Sequence, residues 1–166
     1  MTFDWADFQA AEPAFAKALQ NRFQAYRHHV LATLRKDGSP RLTGLEVDFR
    51  HGHLWLGMMP NSRKAHDIRR DARFALHANP GPDSAAASGD ARLCGHAIEV
   101  TDPLTIARYA EEVAPPEPFH LFKTQLTEAV LTRVEGSDLV VRVWRPGSPV
   151  RTLRRGNDAG PPREDR

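Results

Sequence analysis

Three adjacent residues carry the most specific chemistry in this chain: Ser62, Arg63 and Lys64, near the head of Asn61-Ser-Arg-Lys-Ala-His-Asp-Ile-Arg-Arg-Asp71. Ser62 is of the type that caps a helix, and Ala65 and Ile68, three apart, give the stretch one apolar face, which predicts a short surface helix. A helix start offers free backbone N–H groups and the positive end of the peptide dipole. Two cationic side chains converging there suit one anion, and a terminal phosphate monoester fits that description. The same spacing describes a capping serine followed by two solvated bases, so both readings stand on spacing alone.

Other chemistries are absent. The chain has no G-x-x-x-x-G-K-[ST], no G-x-G-x-x-G after a strand, no G-x-S-x-G and no H-E-x-x-H. His51 and His53 fall on one face of a strand and His28-His29 lie nearby in sequence, but no acidic or cysteine partner completes a metal set. They read as turn and surface residues, and His77 and His96 as satisfied strand residues, so no metal is expected. Arg151, Arg154 and Arg155 lack interleaved aromatics and read as a solvated edge. With 23 Lys and Arg against 21 Asp and Glu, the net charge of +2 is too small to imply a nucleic-acid partner. Cys94, the single cysteine, excludes an internal disulfide and reads as a small core residue. The opening Met1-Thr-Phe-Asp-Trp-Ala-Asp is acidic where a secretory signal is basic, and no apolar run approaches the roughly 20 residues of a membrane span, so a cytoplasmic protein without membrane contact is expected.

The elements that must position the Ser-Arg-Lys step are mostly strands. Phe15, Leu19, Phe23 and Tyr26 predict an amphipathic helix over residues 12 to 26. His29 to Arg35 and Arg41 to Arg50 read as a hairpin across Asp37-Gly38, and His53 to Met58 follows after His51-Gly52. Beyond the short helix come strands at Arg73 to Ala78 and Ala91 to Thr101, separated by a loop over Asn79 to Gly89. A third helix follows Asp102-Pro103, and a last hairpin joins Thr127 to Val134 with Leu139 to Trp144. Six or more strands with three helices predict a mainly β, α+β fold, an antiparallel barrel with peripheral helices, and disfavour an alternating parallel α/β fold. One domain over residues 1–155 is expected, followed by a polar, flexible tail over 156–166.

Three segments carry a resemblance: Leu31-Ala-Thr-Leu-Arg-Lys-Asp-Gly-Ser-Pro40, Ser62-Arg-Lys-Ala-His-Asp-Ile-Arg-Arg-Asp-Ala-Arg-Phe-Ala-Leu76 and Gly95-His-Ala-Ile-Glu-Val-Thr-Asp102. Through them residues 29–101 resemble the pyridoxamine 5′-phosphate oxidase-like family of flavin-binding split β-barrels. The resemblance implies that Arg63 and Lys64 clamp the cofactor phosphate with Ser62 beside them, that Arg41 faces the cofactor, and that Met58 and Trp144 belong to the same site. By residue type, Arg41 also reads as a strand-end base and Trp144 as a core residue. Glu46 stands near where relatives acting on pyridoxamine phosphate carry a Lys, and their C-terminal Arg-x-His has no match, so the resemblance does not extend to that substrate.

The resulting expectation is a homodimer that binds FMN, or its deazaflavin analogue F-420, and passes a hydride between the ring and a small organic substrate. Sparse acid and base residues agree with chemistry supplied by a cofactor. The alternatives are a non-catalytic flavin carrier or sensor, and a small barrel that binds nucleic acid or protein without cofactor.

Overall fold

The computed structural model describes residues 2–82 and 88–165, so the middle of the loop expected over 79–89 lies outside the described residues. The first helix is one that apolar spacing does not announce. α1 (Trp5–Ala11) is fixed by a reciprocal cap: the Asp4 carboxylate accepts the Asp7 N–H at 3.0 Å, and the Asp7 carboxylate accepts the Asp4 N–H at 2.9 Å. α2 (Pro13–Ala25) starts on proline and buries Phe15, Leu19 and Phe23, the predicted face. Side chains of this size contribute about 1.5–3 kcal/mol each when fully buried.

β1 (His29–Leu34) and β2 (Pro40–Leu45) form the predicted hairpin, with Leu31 opposite Thr43 and Gly38 at φ +83° in the turn. The strand expected over Arg41 to Arg50 is not continuous. It breaks at Glu46, and β3 (Val47–Arg50) leaves the β1 partner to pair with β4 (His53–Met58). The inward alternation of Leu45, Val47 and Phe49 survives the break, which is why sequence periodicity does not show it. α3 (Arg63–Arg70) then leads to β5 (Arg73–His77) and β6 (Asp90–Glu99), and α4 (Pro103–Val113) starts after Asp102 as expected, with the Asp102 carboxylate accepting the Thr105 N–H at 2.9 Å.

β7 (His120–Glu135) is longer than the strand predicted from Thr127. Its first part pairs with β4, its length with β6, and its second part with β8 (Asp138–Trp144). A bulge between Cys94 and Gly95 re-registers β6 on β7, and a Cβ at Gly95 would collide with the Gln125 carbonyl. Cys94, expected in the core, is half-buried on the outer face. β9 (Arg151–Arg155) pairs with β8, and the polar stretch after it returns as β10 (Arg163–Glu164) against β9.

The sheet runs β10-β9-β8-β7-β6-β5-β1-β2, with β4 and β3 branching from β7. No ladder joins β2 to β4, so the barrel is open at that seam. α1 and α2 cover the main core, in which Phe8, Phe23, Leu31, Leu56, Phe122 and Trp144 are fully or almost fully buried. α4 lies over the outside of β4 and β7, where Trp55, Tyr109 and Leu121 form a second, smaller cluster. Among the described residues, no helix is long and apolar enough to cross a membrane.

Candidate functional site

The open seam is where the chemistry gathers. Gly44, Leu45 and Glu46 line one side, Gly57, Met58 and Met59 the other, and α3 begins between them. Tyr109 and Val113 of α4, with the chain through Phe119, close a cleft of about 700 Å³, within the range of small-molecule sites. Asn61 takes a left-handed φ of 55°, which asparagine tolerates, and its N–H is held by His120 Nε2 at 3.1 Å; this turn delivers Ser62 to the helix start.

Ser62 occupies the N-cap position, but its hydroxyl caps nothing. Its Oγ is buried without a hydrogen-bond partner. The first N–H groups of α3 have no intrahelical acceptors, as at any helix start. Lys64 reaches into the seam and donates from Nζ to the Gly44 carbonyl at 2.7 Å, and burial pushes its ammonium below the ordinary value. Arg63 is exposed and makes no ion pair or side-chain hydrogen bond among the described residues. It does not converge with Lys64. Consecutive helical residues point about 100° apart, and Arg63 lines a neighbouring hollow of about 380 Å³ with Arg35, Arg41 and His66.

Arg41 is committed elsewhere. Its Nε donates to Asp67 Oδ2 at 2.6 Å, and Asp67 also accepts from Thr33 Oγ1 at 2.8 Å and Arg70 Nη2 at 3.0 Å. Burial alone would raise the Asp67 carboxyl, but the hydrogen bonds from Arg41, Thr33 and Arg70 outweigh it and hold the pKa below 3.8. Arg41 is therefore a member of a partly buried pair on the Arg63 side of α3, not a free cation. Trp144 is 1% exposed with its ring 4.4 Å from that of Phe8, which makes it a core residue. Met58 belongs to the core and also lines the cleft.

Glu46 is not an isolated carboxylate. Oε1 lies 3.0 Å from Arg27 Nε and 3.3 Å from His28 Nε2, so it forms an exposed ion pair with Arg27. Sequence reasoning missed the pair below it: Tyr109 donates from its buried hydroxyl to Asp48 Oδ2 at 2.6 Å, and both residues line the cleft. Burial and the Asp48 bond raise the Tyr109 pKa far above its ordinary value. Only the strand break at Glu46 and the docking of α4 bring these two together, and neither is visible in spacing. No cluster of metal-binding side chains occurs among the described residues.

No protein-family model and no curated protein sequence matches the chain. Solved structures do. A candidate pyridoxamine 5′-phosphate oxidase from Listeria innocua aligns with a TM-score of 0.58 at 14% identity, over 69% of this chain and 95% of that one. PhzG from Burkholderia lata, solved in complex with tetrahydrophenazine-1-carboxylic acid, gives 0.58 at 13% identity, over 94% and 98%. HutZ, the heme storage protein from Vibrio cholerae, gives 0.51 at 15% identity, over 81% and 94%. The fold is that of the pyridoxamine 5′-phosphate oxidase-like split barrels. At these identities the likeness is one of fold, and this split barrel's own residues must carry any statement about chemistry. Its split is the β2–β4 seam, and Lys64, in the first turn of α3, lines that opening.

Proposed function

We propose that this split barrel is a flavin-dependent oxidoreductase, with FMN, or the deazaflavin F-420, held by its phosphate at the start of α3. The observation that carries the reading is Lys64, whose side chain enters a cleft of about 700 Å³ from the first turn of α3, with the buried Ser62 Oγ, unpartnered among the described residues, at the N-cap before it. A phosphate oxygen would satisfy the hydroxyl and the free N–H groups together, and Arg63 would add charge from the flank. A bound flavin supplies the hydride chemistry. The chain's residues bind and enclose: Gly44 and Gly57 leave the backbone edges of the seam bare, Met58 and Phe119 exclude water, and Tyr109 holds a proton on its hydroxyl against Asp48.

Titration of apo protein with FMN and with F-420, followed by flavin fluorescence, tests the reading. Saturable binding of at least one is expected; no binding of either overturns it. Hydride transfer to or from a small organic molecule by the loaded protein separates the enzyme from a non-catalytic carrier or sensor.

The proposal includes a second copy of the chain. Leu42, Ala32, Ala75 and Cys94 are register partners across β2, β1, β5 and β6, and their row faces outward with Leu42 70% exposed. A twofold partner covering this face would bury more than about 1,200 Å² in total. Light scattering at micromolar concentration checks it, and a lone 18.6 kDa species refutes it.

A second reading, haem binding, is favoured by the likeness to the heme storage protein. His28, paired with Glu46, is the imidazole that lines the cleft. A Soret band that forms on haem addition and is lost in His28→Ala would favour this reading over the flavin.

A further inference from the structure

We infer that the hollow between α4 and the β3–β4 hairpin is a second ligand site, one that takes a small carboxylate bearing a ring. It is a cavity of about 310 Å³, distinct from the seam cleft, and Tyr109 forms part of the wall of each.

The charge of the lining is unbalanced. Arg50 at the end of β3, Arg108 on α4 and Lys123 on β7 face one carboxylate, Glu112. That carboxylate is already engaged three times, by His51 Nε2 at 2.7 Å, Arg108 Nε at 3.1 Å and Arg50 Nη1 at 3.5 Å. Lys123 makes no ion pair or side-chain hydrogen bond among the described residues. Burial first, then the Lys123 charge, push the His53 imidazole below its ordinary pKa.

One donor in the lining lacks an acceptor among the described residues: Arg50 Nε is buried without a hydrogen-bond partner, whereas His53 Nδ1 has the Asp4 carboxylate 3.3 Å away. Leaving such a donor unmade is costly, and an oxyanion is a ligand that would engage it.

The remaining wall is aromatic. Trp55 commits its indole N–H to the Arg50 carbonyl at 3.0 Å, and Tyr109 commits its hydroxyl to Asp48. With their polar ends occupied, these residues offer the hollow ring surface. A cationic rim beside aromatic walls selects a carboxylate with a ring attached over a bare anion or a neutral ring.

Benzoate, benzamide and inorganic phosphate are the probes. Binding is followed on the indole N–H resonances, of which Trp5 and Trp144 are sealed in the core and Trp55 lines the hollow. Benzoate is expected to shift the Trp55 resonance with a Kd below about 1 mM, and benzamide and phosphate to bind at least about tenfold more weakly. Lys123→Met and Arg108→Met should each weaken benzoate by about tenfold or more. The Arg108 side chain is 61% exposed, so that variant tests the site even where Lys123→Met disturbs the sheet. An unmoved Trp55 resonance at about 5 mM benzoate, equal affinity for benzamide or phosphate, or wild-type affinity in a folded Arg108→Met overturns the assignment. None of these outcomes depends on flavin binding.

Discussion

The start of α3 and the C-terminal edge are both rich in arginine, yet they use it in opposite ways. At the edge, Arg151 meets Glu164 at 2.7 Å, Arg154 meets Glu135 and Asp165 at 3.0 and 2.9 Å, and Arg163 meets Asp138 at 3.3 Å. At the start of α3, among the described residues, Arg63 has no partner, Lys64 rests on a carbonyl and Ser62 Oγ has nothing. The difference teaches where to look for a ligand: a run of bases whose acids are supplied by neighbouring strands is a solvated edge, whereas unmet donors at a helix start are an invitation to an anion. In sequence, Arg-Lys and Arg-Arg steps look alike.

The largest effect expected from breaking this contrast falls on the satisfied side of α3. Asp67→Ala would strand Arg41, whose side chain is only 17% exposed, and breaking a buried pair costs about 3–5 kcal/mol. For a chain of this size that lowers the thermal midpoint by roughly 6–20 °C, read by calorimetry. The pH dependence has a defined sign. Because the folded Asp67 carboxyl titrates below 3.8, its contribution is complete above that value and is lost as pH falls through the lower folded pKa. Asp67→Asn should therefore flatten the acid limb of a stability profile, and an unchanged limb would assign it to other carboxylates.

Next come the unmet donors. Lys64→Ala should weaken FMN by roughly 10- to 150-fold, the range of one charge-assisted contact, and Arg63→Ala, measured separately, by less, because Arg63 acts from the flank. Wild-type affinity in both, with the fold intact, would return the pair to solvent and move the phosphate elsewhere. Arg154→Met is the control at the paired edge, and flavin affinity should stay within about twofold of wild type. The smallest effect concerns Glu46. With Arg27 3.0 Å from its carboxylate, the expected rejection of pyridoxamine 5′-phosphate rests more on the absent Arg-x-His element than on repulsion. Oxygen consumption with that substrate should stay below about 1 per second in the FMN-loaded protein, and Glu46→Gln should change it little.

How far the sequence reached follows the physics of each signal. Local patterns were legible: the Asp37-Gly38 turn, the helix start after Asp102-Pro103 and the apolar face of α2 stand where period and turn chemistry put them. Patterns that depend on a distant partner were not. The break at Glu46 preserves the alternation on both sides, and β7 is long because β4 and β8 each claim a part of it. At the site, residue type singled out Ser62, Arg63 and Lys64, but the divergence of the two cations, the capture of Arg41 by Asp67 and the Tyr109–Asp48 bond arise only when β2, α3 and α4 meet. Trp144 shows the converse: its place at a strand end fitted two roles, and burial against Phe8 leaves it the packing one.

The branching of β7 also sets a timetable for synthesis. Met58 at the end of β4 pairs with His120 at the start of β7, so a strand made early has no neighbour on that side until a segment 62 residues later has been made. At translation speeds of about 5–20 residues per second, that wait lasts roughly 3 to 12 s. Over that interval β3 and β4 can form only their own hairpin, which is marginal alone in water. The half of the molecule that builds the seam is thus assembled last at its own margin, and slowing translation between α4 and β7 would prolong the period in which an apolar strand edge is open to other chains.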